Sequence, residues 1–170
     1  NNIKSGSIIA QMTQGGLPKD VKFREGLSDH LCALGLDEIC TFTFIPARIY
    51  TKAGIAESDP RRKSVEISNP FGEDTKTLRT TSIPSILETL ELNYNRSNPS
   101  ASLFEMAKVF IPREGIVTNI HGLEGTLPDE RIKVTVGFYG TGSFSRIKGI
   151  CEEILRYAGI DNAKYVAVST

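Results

Sequence analysis

The stretch from Ile132 to Tyr139 constrains this chain more than any other. Ile132, Val134, Val136 and Phe138 alternate with Lys133, Thr135, Gly137 and Tyr139. A period of two marks a β-strand with one apolar face, and such a face must be covered by a second layer. Helical repeats are available to cover it. Phe23, Leu27, Leu31 and Leu34 recur at helical spacing behind Asp20, which suits an N-cap, and Gly35 is placed to end that helix in the left-handed conformation. A second helix is predicted from near Ser82, with Pro84 in its first turn and an apolar stripe of Ile83, Ile86, Leu87, Leu90 and Tyr94. A third runs between Ser145 as N-cap and Gly159 as stop, carrying Ile147, Ile150, Cys151, Ile154, Leu155 and Ala158.

Further strands are predicted at 38–44, where Cys40, Phe42 and Phe44 alternate with Thr41 and Thr43, at 64–68, at 103–110 and at 164–168. In the strand at 103–110, Phe104, Met106 and Phe110 share one face. Charged, Gly- and Pro-containing loops at 51–63 and 111–131, and turns at 69–72 and 140–143, separate these elements. Strands joined mostly by irregular loops argue for an α+β domain with a mostly antiparallel sheet flanked by helices, not a doubly wound parallel sheet. Residues 1–18, with Gly15-Gly16 and Pro18, read as a linker and the tail of a preceding segment; 19–170 read as one core domain. A chain that opens on Asn1 and ends on a fresh strand reads as a segment truncated at its C-terminus.

Composition narrows the function. The chain has 170 residues and a formal net charge of zero. Autonomous tight binding to nucleic acid is disfavoured, because phosphate contacts normally require a basic excess. No apolar run approaches the roughly 20 residues needed to span a bilayer, and no signal peptide opens the chain, so a cytoplasmic location without a membrane partner is expected. Cys32, Cys40 and Cys151 are widely spaced, show no zinc-ligand pattern and read as buried free thiols.

Candidate chemistry is sparse. His30 falls inside the first helix and His121 in a Gly-rich loop, with no triad or paired-ligand pattern around either. No metal-ligand set is expected. Gly137 to Ser143 leads from a strand towards a helix like a phosphate-cradling loop, but its glycine spacing and its ending fit a turn better. Glu152-Glu153 and Glu73-Asp74 read as solvated carboxylates. Arg61, Arg62 and Lys63 form the one basic run, most simply a solvated loop and alternatively an RNA contact.

Several stretches together resemble one family. Ile67 to Asp74 (ISNPFGED), then Leu78 to Glu88 (LRTTSIPSILE), continuing into Asn93-Tyr94-Asn95-Arg96, are similar to the "NP–ED–LRTSLLPGLLE" signature of the bacterial-type phenylalanyl-tRNA synthetase beta chain. Leu103 to Phe110 (LFEMAKVF) resembles that family's "LFEIGRVF" strand, and Leu34 to Ile39 its "LGFQEV" joint. Phe144 and Ile147-Lys148-Gly149 resemble its "DFFDLKG" helix start, though Ser143 and Arg146 replace the acids, and Asn1-Asn2-Ile3 resembles its "GYNNI".

The resemblance implies a class II synthetase-like fold and a degenerate, non-catalytic copy of the catalytic module. It implies an alpha-chain partner that makes phenylalanyl-adenylate with ATP and Mg²⁺ and charges tRNA(Phe), within an (αβ)₂ assembly. No cofactor is expected in this segment itself. In a working class II site an Arg-x-Glu follows the strand and grips the ATP phosphate; here Ile111 and Pro112 stand in the way and Arg113-Glu114 comes two places late. The first class II motif also normally ends in Thr-Pro, whereas Thr41 is followed by Phe42. The expected role is a structural assembly module, with Phe23, Leu27, Leu31 and Phe42 as core residues or contacts to the alpha chain. The alternatives are an RNA-contacting module using Arg61, Arg62 and Lys63, or a residual ATP-binding adenylating domain dependent on Arg113.

Overall fold

A computed structural model describes residues 6, 9–11, 14–67, 69–113, 127–140 and 142–166. Its centre is a long antiparallel ribbon. Strand β5 (Ala101–Ile111) pairs with β6 (Asp129–Tyr139) along its whole length, from Ala101 opposite Tyr139 to Ile111 opposite Asp129. The short strand β1 (Asp37–Glu38) lies parallel to β5 on its other side, giving the order β1-β5-β6. A second three-stranded sheet, wholly antiparallel, is made of β2 (Phe44–Ile45), β4 (Thr77–Leu78) and β3 (Val65–Glu66), in the order β2-β4-β3.

The alternation at 132–139 does what its period requires. Val134, Val136 and Phe138 share a face with Phe104 and Met106, and that face packs on Leu27 and Leu31 of α1 (Lys19–Ala33) and on Ile150 and Ile154 of α4 (Phe144–Tyr157). On the opposite face, Ala101, Leu103 and Tyr139 pack with Ile86 and Leu90 of α3 (Ile83–Asn95) and with Ile39. A Cβ on Gly137 would come within 2.9 Å of the Leu90 side chain, so a bare backbone lets α3 lie close to the ribbon. A third apolar cluster, Ile45, Ile49, Tyr50 and Ile55, centres on the short helix α2 (Arg48–Lys52), which lies partly in the stretch read as loop.

Helix ends follow the sequence signals. After α1 and α4 the chain turns through Gly35 and Gly159, both at positive φ. Leu36 N–H donates to the Leu31 carbonyl and Ile160 N–H to that of Leu155, which satisfies carbonyls that a helix end leaves open. The helix starts differ. Pro18, not Asp20, stands at the N-cap of α1, and Asp20 sits in the first turn beside Arg24. Ser143, not Ser145, caps α4, its Oγ accepting from Arg146 N–H at 3.2 Å.

Three other expectations are corrected. Cys32, Cys40 and Cys151 are exposed, because the two helical cysteines lie on solvent-facing sides and Cys40 lies in a surface crossing segment. The strand predicted at 38–44 breaks into β1 and β2, for a reason given below. Residues 164–166 form no strand; the rest of that prediction, like His121, lies outside the described residues. The glycine-rich turn after β6 has a steric explanation. Gly140 sits at φ 85°, where a Cβ would meet the Pro99 carbonyl at 2.4 Å, and a Cβ on Gly142 would strike the Phe138 ring.

Candidate functional site

Arg79 and Glu105 form an ion pair inside the protein, with side chains only 4% and 3% exposed. Glu105 belongs to the face of β5 that carries Leu103, Ala107 and Val109. A carboxylate there must be compensated, since burying an unpaired charge is prohibitive. Three groups compensate it. Arg79 Nη1 donates to its Oε1 at 3.0 Å, the Thr41 backbone N–H at 3.0 Å, and the Thr41 hydroxyl at 2.9 Å. Thr41 Oγ1 in turn accepts from Arg79 Nη1 at 2.7 Å, while Arg79 Nε donates to the Lys108 carbonyl at 3.0 Å. The Arg79 backbone extends the clamp, its N–H donating to Thr43 O at 3.1 Å and its carbonyl accepting from Phe110 N–H at 2.9 Å.

This network explains the broken strand. Ile39 N–H still reaches the Phe104 carbonyl at 2.9 Å, as a ladder requires, but the next inward amide, that of Thr41, is taken by the Glu105 carboxylate. The chain leaves the first sheet there and crosses to the second.

Around the clamp lies a concentration of buried polar side chains. Thr77, Arg79, Thr80, Thr81, Ser82 and Ser85 are all buried, and all fall in one short segment. Several of their polar groups are spent inside the chain. Thr77 Oγ1 donates to Ile45 O at 2.6 Å, Thr80 N–H donates to the Tyr50 hydroxyl at 3.2 Å, and Ser82 Oγ shares a hydrogen bond with Thr135 Oγ1. The LRTTS stretch is thus the joint between the two sheets and the start of α3.

The crossing segment held by this joint presents aromatic rings outward. Phe42 is 86% exposed, and Phe44 and Leu92 are about half exposed. They line an open groove of about 430 Å³ together with Pro46 and Ile49. The four residues named from sequence therefore divide. Leu27 and Leu31 are buried in the chain's own core and have no surface to offer a partner. Phe23 is partly exposed, its ring 5.3 Å from that of Tyr157, and Phe42 is a free surface ring.

The basic run is more committed than its composition suggests. Arg61 grips Asp59 with Nε at 2.9 Å and Nη2 at 2.6 Å. Those side-chain hydrogen bonds, with the Arg61 backbone N–H, hold the Asp59 carboxyl down to about 2. Arg62 is turned inward, donating to Thr51 Oγ1, and Lys63 is exposed. Arg113 is tied to Asp129 at 3.0 Å across the end of the ribbon, while Ile111 completes β5. His30 stacks on Tyr157 at 5.6 Å and lies 3.3 Å from Glu153, which serves α1–α4 packing. Among the described residues no group of three metal-ligating side chains is present, and no helix is long and apolar enough to cross a membrane.

The model of the phenylalanyl-tRNA synthetase beta chain CLM domain matches residues 3–170. The chain belongs to that family. A phenylalanine–tRNA ligase beta subunit from Clostridium acetobutylicum is 32% identical over 169 residues, covering 99% of this chain and 20% of the relative. The corresponding subunit from Thermotoga maritima is 28% identical over 94% of this chain. The chain spans about a fifth of the length of the curated relatives it matches. Two structures of pyrrolysyl-tRNA synthetase from Desulfitobacterium hafniense superpose with TM-scores of 0.66 and 0.65 at 19% and 20% identity, over 88% and 90% of this chain and 50% of theirs. The α+β, class II synthetase-like fold expected of a beta-chain segment is therefore the one observed, with the qualification that the central sheet is mixed through its parallel β1. Sequence motifs had included Arg79, Glu105 and Thr41 without assigning them a task. The signal available was Glu105 itself, a carboxylate on an otherwise apolar strand face.

Two measurements check this geometry. Arg79→Ala and Glu105→Ala are each expected to cost about 3–5 kcal/mol in urea unfolding, because each leaves a buried charge unpaired. The double variant should cost clearly less than the sum; additivity within about 0.5 kcal/mol would show that the two are not coupled. For Asp59, the folded carboxyl titrates below the unfolded value of about 3.9, so its contribution to stability is present above pH 4 and lost as pH falls through about 2. Carboxyl-carbon NMR should place its midpoint near 2, and Arg61→Ala should raise it only part of the way to the usual carboxylate range, because the backbone N–H of residue 61 still donates.

Proposed function

We propose that this chain is a structural assembly module of the phenylalanyl-tRNA synthetase beta subunit, docking on the catalytic alpha chain and performing no chemistry itself. The observation that carries the reading is the Phe42–Phe44 segment. Its rings are exposed, yet its backbone is pinned by the buried Arg79–Glu105–Thr41 clamp. A rigid apolar surface loses little conformational entropy on association, which is what a permanent interface needs. Phe23 on α1 adds a further, partly exposed ring. In this reading ATP, Mg²⁺ and the charging of tRNA(Phe) with phenylalanine belong to the alpha chain of an (αβ)₂ ligase. The late position of Arg113, beyond Ile111 and Pro112 at the end of β5, supports a non-catalytic role.

Co-expression with the matching alpha chain, followed by size exclusion with light scattering, tests the assembly role. A co-eluting complex is expected, and Phe42→Asp should abolish it while leaving the thermal melt of the chain unchanged. Co-elution unaffected by Phe42→Asp would move the interface elsewhere. For the chemistry, ATP–pyrophosphate exchange by the chain alone should stay at background; exchange that disappears in Arg113→Ala would overturn the non-catalytic reading.

A further inference from the structure

The groove beside Phe42 has a charge pattern as well as an apolar one. Its lining includes two charged residues, both carboxylates: Asp74, from the turn at 73–75, and Glu88, on α3. Each is held by an exposed cation. Arg48 lies 2.5 Å from Asp74, and Lys52 lies 3.7 Å from Glu88 but only 2.6 Å from Glu91. Lys52 is thus shared between Glu88 and Glu91, which leaves that cluster with one carboxylate more than it has cations. A partner seated on Phe42, Phe44 and Leu92 would displace water from both carboxylates, and that loss is unfavourable unless a positive group replaces the water.

We infer that the groove takes a segment of the alpha chain whose apolar side chains are flanked by lysine or arginine, the cations meeting Glu88 and Asp74. The inference rests on the docking reading above and adds the chemistry of the partner. Anionic partners, whether RNA or an acidic protein segment, are opposed by the same two carboxylates. The existing pairs are no obstacle. Arg48 and Lys52 are more than half exposed, and exposed ion pairs exchange partners at little cost.

The test is titration of the alpha chain onto the immobilised 170-residue chain at low and high salt. Wild type should bind with a Kd that rises at least about threefold between about 50 and 500 mM NaCl, because salt screens charge pairs. Glu88→Lys and Asp74→Lys should each weaken binding about tenfold at low salt and flatten the salt dependence. Glu57→Lys, the same charge change outside the groove lining, should behave as wild type. If Phe42→Asp loses binding while Glu88→Lys and Asp74→Lys bind as wild type with an unchanged salt response, the groove is the docking site but its partner is not basic, and the inference is wrong. If Phe42→Asp also binds as wild type, or the wild-type chain does not bind, the docking reading itself fails and the inference with it.

Discussion

The two sheets of this structure meet at the buried salt bridge between Arg79 and Glu105. It joins the residue that follows β4 of one sheet to β5 of the other, and through Thr41 it fixes where the chain leaves the first sheet for the second. Buried ion pairs are poor sources of net stability, since desolvating two charges offsets most of their attraction. What this pair supplies is definition. A carboxylate with one backbone and two side-chain donors tolerates few alternative arrangements of the 39–43 segment. The apolar clusters on either face of the ribbon could supply stability without it, but they could not decide where Phe42 points.

Much of the architecture is legible in the residues. The β5–β6 ribbon, the three longer helices and the glycine stops after α1 and α4 follow from periodicity and from the special conformational freedom of glycine. What periodicity could not reveal was competition between side chain and backbone. Thr41 and Thr43 alternate with aromatic residues as a strand should, yet the Glu105 carboxylate outcompetes a backbone carbonyl for the Thr41 amide. Glu105 is 64 residues away in sequence, so no local pattern could announce it. The exposed cysteines were misjudged for a related reason. Cysteine's tendency to be buried describes an average, whereas which side of a helix faces solvent is decided by neighbours.

The candidate site was legible only in outline. Phe42 was named, but Phe44 and Leu92, its companions in the groove, were assigned to a strand face or left without a role. Leu27 and Leu31 share the helical stripe of Phe23, and only the packing of α4 and the ribbon on α1 shows that they point inward. For the basic run, composition suggested three available cations. Local geometry engages Arg61 in a fork on Asp59 and turns Arg62 towards Thr51.

The capture of the Thr41 amide by Glu105 also bears on solubility. Strand β1 is an outer strand of its sheet, and an edge running on through Cys40, Phe42 and Phe44 would offer a row of open amides alongside aromatic side chains. Such an edge is a template for pairing with other copies of the chain. Ending the ladder at this point, by giving the next amide to an internal carboxylate, removes the template while keeping the rings. The surface can therefore stay apolar without also inviting strand-by-strand association with itself.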